Sequence, residues 1–317
     1  VNNGAIIVMG ATTGEILAMA SRPNYKQYLL KEYFDQKNAP LINRAVESYT
    51  PGSIFKIIIL AAALEEELAQ LDEIFYCSGF ERVGNNSFKC SSYENGGHKE
   101  VTLKDALAFS CNSVFIQLGL KLGKDKILDY AKLLGLGEKT SIGLPEEKRG
   151  NIPTEKEVYF QDIGNLSIGQ GAIGLTPIQA AQIFLIITNN GEFKKPVLLK
   201  EVIDQKGNCL SMGSAKIKTE SIISAETTKK IREALEAAAE YGTARKANPQ
   251  MGCYIGGKTG TAEIENNTPH AWFVGYCPAK EPEFIVTVFV EQGGSGSTIA
   301  APIFKEIIER IYNFKGK

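Results

Sequence analysis

The chain has 317 residues, of which 44% are hydrophobic and 22% charged, and its net charge is 35 − 36 = −1. Near-neutral balance excludes broad electrostatic capture by nucleic acid or anionic lipid, and no apolar run reaches the ~18–20 residues of a membrane span. The chain is long enough to bury a sizeable core and to hold one large domain or two.

Residues 5–9 (AIIVM), the turn Thr12-Thr13-Gly14 and residues 15–20 (EILAMA) predict a β-hairpin at the start. Apolar periodicity then predicts helices over 53–68, 103–108, 113–122, 126–134 and 177–188, and later over 227–241 and 301–314. Strand patterns return at 253–262, 271–277 and 284–291, with the turn 278–282 between the last two. Strands at both ends and helices between predict an α+β fold. The expected architecture is an antiparallel five-stranded sheet flanked by helices, with an inserted all-helical lobe. All 317 residues then form one domain, with a sheet subdomain over 1–45 and 192–317 and a lobe over 46–191. Residues 44–50 and 189–195 are the expected hinges. The chain opens directly on a strand with no leader pattern, so the expectation is a mature or excised piece.

Three motifs carry chemistry. Ser53 and Lys56 stand three apart behind Pro51-Gly52, at the head of an apolar run. Residues three apart share a helix face, and an amine among Ile54, Phe55 and Ile57–Ile59 is poorly solvated, which lowers its pKa. A serine beside such a lysine is an activated nucleophile, although S-x-x-K alone equally fits a helix N-cap followed by a snorkelling lysine. Ser110-Cys111-Asn112 follows the helix over 103–108, and Lys258-Thr259-Gly260-Thr261 stands in a strand. Strand residues i and i+2 share a face, so Thr259 and Thr261, with the Lys258 charge, suit a ligand carboxylate. Gly260 permits close backbone approach by a ligand. Only His98 and His270 are histidines, which leaves little material for a Ser-His-Asp mechanism and moves the base role to lysine.

The order S-x-x-K, S-x-N, K-T-G is the signature set of penicillin-binding proteins and serine β-lactamases. Ser167-Ile168-Gly169-Gln170-Gly171 with Thr176-Pro177-Ile178-Gln179, His270–Tyr276, Gly293–Ser297 with Ala301–Phe304, and Gly14–Met19 extend the match along nearly the whole chain. The chain thus resembles the transpeptidase domain of class B, monofunctional penicillin-binding proteins. The resemblance implies a β-lactamase/transpeptidase-like fold with the site between sheet and lobe. It further implies that Ser53 attacks the penultimate D-Ala carbonyl of a peptidoglycan stem peptide and passes the acyl group to an amine, and that β-lactams acylate the same serine. Lys56 is then the base, Ser110 a proton relay, Asn112 a ligand of the substrate amide and of Lys56, and the Ser53 and Thr261 backbone N–H groups the oxyanion hole. Neither cofactor nor metal is implied. The expected partners are stem peptides, β-lactams and a membrane-embedded cell-wall polymerase reached through an N-terminal region outside this chain, but no nucleic acid. The expected place is the extracytoplasmic face of the bacterial membrane, held by an N-terminal anchor. The alternatives are a serine β-lactamase or D,D-carboxypeptidase, and a β-lactam sensor domain. Glu157 and Gln161 only half match a class A deacylation loop, and Asn112 stands against the sensor.

Of six cysteines, Cys77 and Cys90 flank a hairpin-like stretch and are followed by His98. Transpeptidase domains often carry a cysteine pair here, which implies a Cys77–Cys90 disulfide. A zinc site on Cys77, Cys90 and His98 lacks a clear fourth ligand, though Glu94 could serve, and two unpaired thiols are the third option. Cys111, Cys209, Cys253 and Cys277 are expected to be buried and free, and Trp272 and Phe273 to be core.

Overall fold

The computed structural model describes residues 3–212, 220–250, 252–265 and 267–315. In chain order the strands are β1 (Gly4–Gly10), β2 (Ile16–Arg22), β3 (Ile74–Cys77), β4 (Phe80–Val83), β5 (Asn86–Lys89), β6 (Lys99–Thr102), β7 (Glu201–Ile203), β8 (Cys209–Met212), β9 (Gly256–Ile264), β10 (Asn267–Cys277) and β11 (Phe284–Val290). The helices are α1 (Lys56–Glu65), α2 (Leu103–Ala108), α3 (Asn112–Leu133), α4 (Ile163–Ser167), α5 (Pro177–Thr188), α6 (Ala225–Glu240) and α7 (Ala301–Lys315).

The hairpin β1–β2 joins the three late strands in one five-stranded sheet, ordered β2-β1-β11-β10-β9, with every pairing antiparallel. Strands β10 and β11 are buried on both faces, which the two-residue alternation of side chains makes possible. Ile285 and Phe289 of β11 face a core shared with α1, α3 and α5, whereas Phe284, Val286, Val288 and Val290 face one shared with α7. Helix α1 is buried from Lys56 through Leu64, as expected of a helix apolar all round. Helix α5 opens on a capping box, Thr176 with Gln179. Gln179 also donates to the carbonyls of Arg149 and Glu138, at 2.7 and 2.9 Å.

Several expectations need correction. The inserted segment is not all helical, because β3 pairs with β6 and β4 with β5 in two small ribbons. The two helices expected over 113–122 and 126–134, by contrast, stand: they are the two halves of α3, separated at Gly123, whose φ 75° and ψ 161° are not helical. At the start of the segment 44–50, Arg44 is 3% exposed, donates to Glu291 Oε2 at 2.7 Å and also donates to the carbonyls of Asn38 and Ala39. Cys77 and Cys90 form no disulfide; both are buried free thiols. They do not oppose each other across one ribbon. The Cys90 N–H donates to the Gly79 carbonyl across the β4–β5 ribbon, while Cys77 sits in the other ribbon opposite Lys99. Cys209 is exposed rather than buried, and Cys253 is partly exposed. Trp272 and Phe273 are fully buried, as expected.

Candidate active site

Ser53 lies in a single tight turn, Gly52–Ile54, that feeds α1. No side chain caps that turn or α1, so the N-cap reading fails and the Ser53 hydroxyl is not spent on its own helix. The turn is wedged between two glycines for steric reasons. Gly52 has φ 53°, its N–H donates to the Gly169 carbonyl at 3.0 Å, and a Cβ there would stand 2.6 Å from the Thr261 carbonyl. Gly169 has φ 71°, and a Cβ on it would collide with the Gly52 carbonyl. The Ser167–Gly171 motif is therefore the seat of the Ser53 turn.

One helical turn on, the Lys56 amine is fully buried. It donates to the Ser110 carbonyl at 2.7 Å, to Asn112 Oδ1 at 2.6 Å and to Ser110 Oγ at 3.3 Å. Desolvation pulls its pKa down to about 8. The two shortest contacts are to carbonyl oxygens, which only accept. A neutral amine satisfies both with its two N–H groups and keeps its lone pair for a hydroxyl proton. Ser110 and Asn112 are presented by the junction between α2 and α3, where Ser110 takes the left-handed region at φ 57°, uncommon for a residue with a side chain. The Cys111 N–H donates to Ala106 O at 2.8 Å, and Asn112 Nδ2 donates to Lys89 O at 2.8 Å.

Strand β9 is the last strand of the sheet, so one edge borders the cleft. Lys258 is buried; its amine donates to Ser110 Oγ at 2.9 Å and to the Thr259 carbonyl at 2.9 Å. Burial, and then the charge on Lys56, holds its pKa well below the usual lysine value. The Lys258 charge expected to meet a carboxylate is thus disfavoured in the empty cleft. A cleft of about 900 Å³ is lined by Ser53, Ser110, Asn112, Thr259 and Thr261 among others. Lys56 and Lys258 stand behind it. Gly260 is required for packing: a Cβ there would lie 2.9–3.1 Å from Trp272 Cβ, Ile54 Cγ1 and the Pro51 carbonyl.

Other cleft residues escaped sequence reasoning. Thr243 accepts a hydrogen bond from the Thr259 hydroxyl at 2.8 Å. Gln170, Ser295 and Ser297 line the cleft, and Gly296 N–H donates to Thr261 Oγ1 at 3.2 Å. The Ser167–Gly171 and Gly293–Ser297 motifs signalled the last four; Thr243 carries no local signal. Glu157, half of the deacylation pattern, instead accepts from the Thr154 N–H at 2.7 Å in a capping box. His270 is no base either: Nδ1 accepts the Gln292 N–H at 3.0 Å, and the ring packs on Tyr49 and Phe289.

The penicillin binding protein transpeptidase domain family matches residues 4–309. Stage V sporulation protein D of Bacillus subtilis is 35% identical over 95% of this chain and 48% of its own length. Peptidoglycan D,D-transpeptidase PbpA of Mycobacterium tuberculosis is 31% identical over 96% of this chain and 66% of its own. The chain thus spans about half to two thirds of these relatives. The D,D-transpeptidase domain of the peptidoglycan glycosyltransferase from Eggerthella lenta superposes with a TM-score of 0.90 at 27% identity, covering 99% of this chain and 79% of that one. Penicillin-binding protein A from M. tuberculosis, solved as a ceftriaxone acyl-enzyme, gives 0.87 at 29% identity over 97% and 74%. With the S-x-x-K, S-x-N and K-T-G motifs converging on one cleft in this fold, the chain belongs to the transpeptidase domains of the class B penicillin-binding proteins.

Proposed function

We propose that the chain is the catalytic domain of a peptidoglycan D,D-transpeptidase, acylated by stem peptides and by β-lactams at Ser53. The observation that carries this reading is a buried lysine with a pKa of about 8, one turn from a serine free of capping duty, at a cleft bordered by a sheet edge. Ser53 Oγ attacks the carbonyl of the penultimate D-Ala as its proton passes to Lys56. A well-placed base of this kind is worth ~10²–10⁴-fold. Ser110 Oγ lies within hydrogen-bond reach of both lysines and returns the proton to the departing D-Ala nitrogen. Backbone N–H groups of Ser53 and Thr261 stabilise the oxyanion, a donor of this type supplying ~10²–10³-fold. The substrate chain adds to the free edge of β9, where Thr259, Thr261 and Lys258 receive its carboxylate, Lys258 taking up a proton as the anion arrives. An amine of a second stem peptide then accepts the acyl group.

The relatives are longer than this chain, and one similar structure, with a TM-score of 0.84, is that of a peptidoglycan synthase complex. The proposal therefore includes a membrane-embedded polymerase as partner and an anchor outside these 317 residues, on the extracytoplasmic face. No helix among the described residues is long and apolar enough to cross a membrane. Intact-mass measurement with benzylpenicillin tests the reading. A long-lived adduct on wild type is expected, a rapidly lost one would indicate a β-lactamase, and no adduct at all would overturn the assignment.

A further inference from the structure

The face of the sheet packed against α7 holds a pair of cysteines outside the cleft lining. Cys253 lies in the stretch that leads into β9, and Cys277 ends β10. Strands β9 and β10 pair from Gly256 opposite Tyr276 onward. The Ala279 N–H extends that contact by donating to the Tyr254 carbonyl at 2.8 Å. The pairing brings both cysteine side chains to one core, with Phe284, Phe304 and Ile308. Cys277 is fully buried there, and Cys253 sits at the edge, partly exposed. Their sulfurs stand 2.8 Å apart, against 3.8 Å for Cys90 and Cys111. An S–S bond is about 2.05 Å long, so a shift of less than about 1 Å brings the two sulfurs to bonding distance.

We propose that Cys253 and Cys277 are a site of covalent cross-linking, a disulfide staple between the lead-in of β9 and the end of β10. The two sulfurs differ in the way that thiol–disulfide exchange requires. Cys253 is reachable from solvent. Burial, and then the hydrogen bond with Cys253, pushes the Cys277 thiol up, so it stays protonated until its neighbour has reacted. The co-reactant is an oxidant of the disulfide class. The Cys253 thiolate attacks one sulfur of that oxidant and expels a thiolate. The Cys277 sulfur, losing its proton, then attacks Cys253, forms the intramolecular S–S bond and releases the oxidant's second half. The two cysteines lose two electrons and two protons, and the oxidant gains both as two thiols. Such bonds persist outside the cytosol, which agrees with the extracytoplasmic placement proposed above, but the geometry of the pair does not depend on it. The bond closes the loop 253–277 and so constrains the unfolded chain. Lys258 already sits in register opposite Val274, so the staple secures the start of its strand and leaves the reacting groups where they are.

The experiment uses the full chain, reduced with dithiothreitol, exchanged into glutathione disulfide under native conditions and then alkylated at its remaining thiols. Trypsin cuts after Lys246, Lys258 and Lys280, so the bond would hold peptides 247–258 and 259–280 together until they are reduced. The linked pair is expected in wild type and in Cys209→Ser, and should be absent from Cys253→Ser. Oxidised wild type should melt several degrees above the reduced protein, a difference that Cys253→Ser loses, while acylation by benzylpenicillin stays within about twofold between the two states. Recovery of both cysteines as alkylated thiols, or of Cys253 only as its glutathione adduct, overturns the site. A linked pair that melts where the reduced protein does, or an acylation rate that follows the redox state, overturns its role as a structural staple.

Discussion

The two sides of the cleft each contribute one buried lysine, and the two are not equivalent. Lys56, on the helical side, has three oxygen partners and its pKa falls to about 8. Lys258, on the sheet side, has two partners and also faces the charge of Lys56, so its cation is disfavoured further. Both reach the same hydroxyl, Ser110 Oγ. Two cations on one buried hydroxyl cost more than one, so near neutral pH the empty site holds its proton on the Lys56 side. The helical side is thereby built for proton transfer. The sheet side is built to acquire charge when an anionic ligand brings its own.

The most severe way to test that division is to remove what both sides serve. Ser53→Ala should abolish the penicillin adduct in intact-mass spectra with a thermal midpoint close to wild type; an adduct at wild-type level would remove Ser53 as nucleophile. Lys56→Met, which keeps a long apolar side chain in the buried site, should slow acylation by ~10²–10⁴-fold at every pH. Lys258→Ala should instead act mainly on ligands that carry a carboxylate. Stopped-flow acylation by a β-lactam and by its carboxylate ester separates the two: equal losses for both ligands in both variants would erase the distinction between the sides.

The pH profile sharpens it. Only the neutral Lys56 amine accepts a proton, so the acylation rate should climb roughly tenfold per pH unit below about 8 and level off above it. The same depressed pKa makes a stability prediction. Between about 8 and the ordinary lysine value of 10.5 the unfolded chain binds more protons at this residue than the native one. Stability from Lys56 therefore rises with pH across that window and is lost as pH falls through about 8. Urea titrations of wild type and Lys56→Met should diverge there.

The smallest expected effect is at Thr243. Thr243→Val removes the acceptor of the Thr259 hydroxyl, worth about 1 kcal/mol and thus roughly a fivefold loss. It should appear with the carboxylate ligand and be nearly absent with the ester, in second-order acylation constants.

Local pattern was enough for much of this molecule. The β1–β2 hairpin, helix α5 and the apolar runs of β10 and β11 are visible in sequence because period and turn are short-range properties. The eight site residues were named from three motifs, and Ser53, Ser110, Asn112, Thr259 and Thr261 meet at one cleft, with Lys56 and Lys258 behind it. What escaped depended on register and on distant neighbours. The Cys90 N–H pairs with Gly79 while Cys77 lies opposite Lys99 in the other ribbon, a pairing that alternating residues in two-sided polar strands specify weakly.

Sequence alone determined which groups are available: a serine behind a glycine, a lysine in an apolar run, a K-T-G strand and too few histidines for another base. Only the tertiary structure decided what those groups are. It spent Gly260 on packing against Ile54 and Trp272, brought the sulfurs of Cys253 and Cys277 within 2.8 Å, and set two lysines against one hydroxyl. Each of these outcomes turns on a few ångströms between residues far apart in the chain, and burial makes those ångströms count, because a buried charge or sulfur answers only to the neighbours that the fold supplies.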